Sequence, residues 1–119
     1  MPQYNFENLE IWKLSVHGIK EMDILIKRLP KEEAYALSDQ MRRAALSVAL
    51  NIAEGSGRGS KLDFKRFIRN AIGSTLEVIA GMRIAVEKEY FSGSEISSAD
   101  CVYEKLYFKL IAMEKYLKK

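Results

Sequence analysis

The sequence predicts an all-α fold, an up-down-up-down antiparallel four-helix bundle in which residues 1–119 form a single domain. Three observations predict it. Pro30, the run GSGRGS (Gly55 to Ser60) and the run SGS (Ser92 to Ser94) divide the chain into four segments. Apolar residues recur in each segment at three- and four-residue spacing, and none alternates with period two over a useful length. The connections are short, which favours antiparallel neighbours.

In the first segment Leu9, Trp12, Val16, Ile19 and Ile26 form one stripe, and Ile11, Leu14, Met22, Leu25 and Leu29 form another beside it. Glu10, Lys13, Lys20, Glu21 and Lys27 are left for water. The second helix is expected to start at Ser38 as N-cap, with Asp39 at the positive end of the dipole. It is expected to end at Glu54, with Gly55 as a left-handed C′ residue. Its apolar residues, from Met41 to Ala53, run nearly all the way round, leaving a polar stripe of Gln40, Arg43, Ser47, Asn51 and Glu54. The third helix spans Ser60 to Glu89, with Ser60 and Asp63 approximating a capping box and Phe64, Ile68, Ala71, Thr75, Val78, Met82 and Ala85 facing inward. The fourth opens on a stronger box, Ser92 and Glu95, and carries Ile96, Ala99, Tyr103, Leu106, Leu110, Met113 and Leu117.

The 119 residues are 48% hydrophobic and 29% charged. A chain of this mass folds to ~6,500 Å² of surface, enough to enclose one core and too little for two domains. No apolar run approaches ~18 residues, so no membrane span is expected. The polar N-terminus does not resemble a secretory leader, and a cytoplasmic protein is expected. Cys101 is the only cysteine and His17 the only histidine, which excludes an internal disulfide and a His-based metal site.

Specific residues resemble a known family. Gln40-Met41-Arg42-Arg43-Ala44-Ala45, Ser47-Val48 and Asn51-Ile52-Ala53-Glu54-Gly55 are followed by Phe64, Phe67 and Ala71-Ile72-Gly73-Ser74 with Glu77. With Phe6-Glu7-Asn8-Leu9-Glu10-Ile11-Trp12 and Tyr90-Phe91-Ser92, these resemble the four-helix bundle proteins encoded in intervening sequences of bacterial 23S ribosomal RNA genes. Ala49 departs from the pattern S-I-P-x-N-I-A-E-G, and losing that proline should straighten the second helix. The resemblance implies a ring-like homopentamer. A distant relative, the accessory protein of diversity-generating retroelements, is a basic pentamer that binds nucleic acid and a reverse transcriptase. No biochemical activity comes with the resemblance.

Charge supplies the candidate site. Residues 42–69 hold Arg42, Arg43, Arg58, Lys61, Lys65, Arg66 and Arg69 against Glu54 and Asp63, while the whole chain carries only +3. Lys61, Lys65 and Arg69 recur every four residues and share a helix face, with Arg58 and Arg66 adjacent. Such a stripe suits a phosphate backbone; the alternative is a solvated face of the bundle. Phe64 and Phe67 are spaced for the core rather than interleaved with the cations. The GSGRGS loop has neither a preceding strand nor a G-K-[ST] ending, so it reads as a flexible turn before an anion site.

Glu77 lies between Gly73 and Gly81, where a close helix approach would partly bury it. Arg42, Arg43, Gln40 and Asn51 are its candidate partners in a structural polar network that also includes Glu54. His17 falls on the polar side of the first helix, and Cys101 has no activating neighbour. No clustered carboxylates point to catalysis or a metal, and no cofactor is expected. The functions that fit are a non-enzymatic homo-oligomer binding structured RNA or DNA, or a protein-binding adaptor for a nucleic-acid enzyme. Self-association follows from the excess apolar surface of the second helix; only the resemblance supplies the number five.

Overall fold

Four helices are joined in the predicted order in the structure, a computed structural model that describes residues 1–118. They are α1 (Glu10–Ile26), α2 (Asp39–Ser56), α3 (Lys61–Glu87) and α4 (Gly93–Leu117). Each packs on its sequence neighbours and α1 closes the bundle against α4. There is no strand among the described residues. The molecule measures 43 × 32 × 22 Å. Its 7307 Å² of accessible surface exceeds the ~6,500 Å² of a compact chain of this mass, because a small elongated bundle leaves its outer helix faces uncovered.

The core runs along the bundle axis. Met22, Met41, Val48, Ile52, Ile68, Val78, Met82, Tyr103, Leu106 and Leu110 are all fully enclosed. The second stripe read in α1 supplies Ile11, Met22, Leu25 and Leu29 to this core. Of the first stripe, Leu9, Trp12 and Ile19 pack at its margin. A short 3-10 turn, Asn5–Asn8, precedes α1, and Phe6 sets its ring edge-on to Trp12 at 5.1 Å.

Helix ends show where local rules succeed and where packing overrides them. Ser92 and Glu95 form a reciprocal capping box, with Glu95 N–H donating to Ser92 Oγ at 3.1 Å and Ser92 N–H to Glu95 Oε1 at 2.9 Å. Ser60 caps α3 by accepting from Asp63 N–H at 3.1 Å. Before Pro30, α1 gives way to i→i+3 bonds, Arg28 N–H to Leu25 O and Leu29 N–H to Ile26 O.

The expected start of the second helix is corrected. Ser38 has helical φ and ψ (−61°, −47°) and makes no side-chain cap. It closes a π turn, Ala34–Ser38, that follows a 3-10 turn at Lys31–Glu33, so the chain is already coiled when α2 begins. The expected end is corrected too. Gly55 lies inside α2, and the left-handed residue of the loop is Gly59 (φ 82°). Gly55 is required instead by contact: a Cβ there would lie 2.6 Å from Phe67 Cβ and 3.0 Å from Phe64 Cδ1. Through Ala49, which is buried, α2 is unbroken.

At its other end α3 stops two residues earlier than expected, at Glu87. Tyr90 N–H donates to Ala85 O and Glu89 N–H to Val86 O, with Glu89 at φ 63°. This is the Schellman arrangement, with glutamate at the position glycine normally fills.

Candidate nucleic-acid interface

The five predicted cations lie at one end of the bundle, where the α2–α3 loop and the first three turns of α3 meet the C-terminal end of α4. Arg58 leaves the loop, pairs with Glu54 at 2.5 Å and lays its guanidinium 4.7 Å from the centre of the Phe67 ring. Arg66 reaches the same ring at 5.5 Å and pairs with Asp63 at 3.5 Å. The expectation that Phe67 is purely a core residue is therefore corrected. Gly55 admits its Cβ to the α2–α3 contact, and its half-exposed ring is a platform for two arginines. Stacked cations of this kind gain about 0.5–1 kcal/mol at exposed sites and hold the guanidinium plane in a defined direction.

Arg69 Nε bonds Glu114 Oε2 at 2.8 Å and so ties α3 to α4. Lys61 lies 5.5 Å from the centre of the Tyr116 ring. Lys65, half-buried, lines a shallow depression of about 310 Å³ with Leu62, Asp63, Arg66 and Arg69. Among the described residues neither Lys61 nor Lys65 has a carboxylate within 4 Å, so both ammonium groups are open to an external anion.

The antiparallel pairing adds cations that a contiguous window of sequence does not show. The last turn of α4, with Lys115 and the Lys118 that follows it, lies beside the first turns of α3, where Arg69 meets Glu114 and Lys61 lies over Tyr116, whereas Lys109 pairs with Glu10 of α1 at 3.2 Å. Two basic stretches, far apart in the chain, converge. Lys115 and Lys118 are visible in the sequence, but their place beside the start of α3 depends on which helix lies alongside.

The predicted polar network is not one unit. Glu77 is exposed, not partly buried, and accepts from Gln40 Nε2 at 2.8 Å. Arg43 pairs instead with Asp39 at 3.0 Å, and Arg42 is exposed. Asn51 donates to Ser47 O at 2.9 Å and to Ser47 Oγ at 3.1 Å, and Ser47 meets Ser74 across the helices at 2.9 Å. Glu54 belongs to Arg58. The reason is rotational: Gly81 packs on Met41, with a would-be Cβ 2.8 Å from Met41 Cγ, whereas nothing lies within 4 Å at Gly73. The close approach therefore occurs on one side of Glu77 only, and the carboxylate keeps its water.

A buried polar cluster that the sequence did not suggest closes the opposite end. Glu33, 7% exposed, accepts from Lys88 Nζ and from Tyr90 OH. The Lys88 bond first, then the Tyr90 bond, holds its carboxyl below the usual range. His17 is exposed beside Glu21 (3.6 Å), and Cys101 is exposed. No group of three His, Cys, Asp or Glu side chains among the described residues is placed to hold a metal ion, and no described helix is long and apolar enough to cross a membrane.

A profile of the 23S rRNA-intervening sequence protein family matches residues 7–112. The crystal structure of a protein of unknown function from the S23 ribosomal protein family of Bacteroides thetaiotaomicron superposes with a TM-score of 0.81. That pair is 21% identical, over 88% of this chain and 98% of the other, a likeness of fold. No curated protein matches the sequence.

Proposed function

We propose, from the premise that this chain belongs to the 23S rRNA-intervening sequence protein family, that it is a non-enzymatic, cytoplasmic homo-oligomer that holds structured RNA or DNA at its basic end. The observation that carries this is the convergence of Arg58, Lys61, Lys65, Arg66 and Arg69 with the C-terminal lysines of α4, with Lys61 and Lys65 open to an external anion. Phosphate contacts of this kind position a nucleic acid by shape and carry little base information.

Self-association is supported by large apolar side chains left on outer faces. Leu46 and Leu50 of α2 are 49% and 57% exposed, and Leu76 and Ile84 of α3 are 47% and 49% exposed. These lie on helix faces that the other three helices do not cover, and a second copy would bury them. The family resemblance supplies the pentamer. A ring repeats the basic end once per subunit, which raises avidity without strong individual contacts. The alternative is a protein-binding adaptor for a nucleic-acid enzyme, whose partner would sit on the same leucines, and salt dependence separates the two.

The test is a titration with a structured RNA hairpin at 50 and 200 mM salt. Three phosphate contacts give a loss of about 40-fold across that range. The variant Lys61→Glu/Lys65→Glu/Arg66→Glu should abolish binding while helicity and oligomer size persist. Arg69 is left in place because it holds Glu114. Light scattering at micromolar concentration should return a mass several times 13.6 kDa. A monomer overturns the assembly, and salt-insensitive or absent RNA binding moves the function to the adaptor.

A further inference from the structure

We propose that a notch between the start of α1 and the C-terminal half of α4 receives an unpaired nucleobase of the nucleic acid held at the basic end; the proposal rests on the function given above. Leu9, Ile11, Met113 and Tyr116 line it, together with Glu10 and Lys109. Its volume is about 340 Å³, near the lower limit for small-ligand sites and suited to one ring system rather than a base pair.

Three features select a base over an apolar side chain or a lipid tail. First, the Tyr116 ring is 60% exposed, an amphipathic aromatic surface of the kind on which unpaired bases stack irrespective of sequence. Second, the notch lies among cations. Lys61 sits over the Tyr116 ring at 5.5 Å and Lys109 lines the notch, so the phosphate of a stacked base meets positive charge. Third, Lys109 Nζ and Glu10 Oε1 lie 3.2 Å apart, a donor beside an acceptor. The Watson–Crick edge of a base presents the complement, a ring or carbonyl acceptor beside an N–H donor. Lys109 would donate to the first and Glu10 would accept from the second. In a duplex that edge is already used, so the site discriminates for an unpaired base.

The test uses a short single-stranded RNA carrying 2-aminopurine at its centre, and the same strand annealed to its complement, each titrated into the full chain at 50 mM salt. The wild type should bind the single strand about tenfold tighter than the duplex and quench 2-aminopurine emission on saturation. Tyr116→Ala should lose the tenfold preference and the quenching, and Tyr116→Phe should retain both. Because Tyr116 is exposed, circular dichroism of Tyr116→Ala should match the wild type. Equal affinity for the two RNAs with unchanged emission overturns the notch and leaves the basic end standing. Binding of neither RNA overturns the basic end, and the notch with it.

Discussion

The ring of Tyr103 occupies the space that a side chain on Gly18 would need. A Cβ at Gly18 would stand 2.6 Å from Tyr103 Cζ and 2.7 Å from its hydroxyl oxygen. Tyr103 is fully buried, so the ring has nowhere to move, and α1 and α4 close on each other only because position 18 is bare. The hydroxyl has no hydrogen-bond partner among the described residues. Burial, and then the Asp23 carboxylate, push the phenol well above its usual range, so it stays neutral at any ordinary pH.

Gly18→Ala and Tyr103→Phe test that contact in opposite directions, with Gly73→Ala as an uncrowded control. Gly18→Ala gains ~1 kcal/mol of helix propensity but overpacks a rigid ring, at up to ~3 kcal/mol, so thermal unfolding should show a net loss. Gly73→Ala, with nothing within 4 Å, should instead raise Tm. Tyr103→Phe removes an unsatisfied buried hydroxyl and should leave the protein as stable or about 1 kcal/mol more stable. A large loss from Tyr103→Phe would mean that the hydroxyl has a partner.

Glu89 is held at φ 63° by the turn that ends α3. A left-handed conformation costs a residue with a Cβ ~1 kcal/mol that glycine avoids. Glu89→Gly should therefore raise stability by about that amount in urea, with an unchanged m-value, since the side chain is exposed. A decrease would show that the glutamate side chain contributes more than its strain costs.

Acid should loosen the end of the bundle where Glu33 is clamped. Its folded pKa is depressed by Lys88 and then Tyr90, so its contribution is fully present above the unfolded carboxyl value and is lost as pH falls through the lower folded value. Glu95 is also depressed, by the Ser92 backbone N–H first, and adds to the same limb. Stability measured below pH ~4.5 should fall in the wild type and fall less steeply in Glu33→Gln, which is already weakened at neutral pH. Parallel acid limbs would rule out the clamp as the source.

Glu77 gives a contrasting case. It is exposed and its partner is the neutral Gln40, so Glu77→Leu leaves no buried charge behind. The cost should stay below ~1 kcal/mol, the ordinary range for a surface substitution. A loss of ~3 kcal/mol would restore a buried arginine partner.

Local chemistry made much of the fold legible. The Ser92 and Glu95 box, the Ser60 cap and the apolar faces of α1, α3 and α4 are short-range patterns that need no knowledge of a partner. Sequence and structure part where two uses of one residue compete. Conformational freedom makes Gly55 a natural C′ residue, whereas its use is the missing side chain under Phe67. Ser38 has the chemistry of a cap, but the turn that it closes is already coiled. Glu77 does meet Gln40, one of its expected partners, but on an exposed part of the helix surface, because spacing along a helix sets height more firmly than it sets rotation.

The sequence by itself determined the four helices, their antiparallel order, the family and the presence of a basic stretch from Arg58 to Arg69. Each of these follows from backbone periodicity, punctuation by glycine and proline, or residue order within a few turns. Only the tertiary structure decided that Arg58 and Arg66 share the Phe67 ring, that Lys61 meets Tyr116 and Arg69 meets Glu114, and that Glu33 is enclosed by Lys88 and Tyr90. Most of those pairs are more than forty residues apart in the chain. Their meeting depends on how far each helix is rotated about its axis and slid along its neighbour, which is settled by close packing at sites such as Gly18 on Tyr103 and Gly81 on Met41.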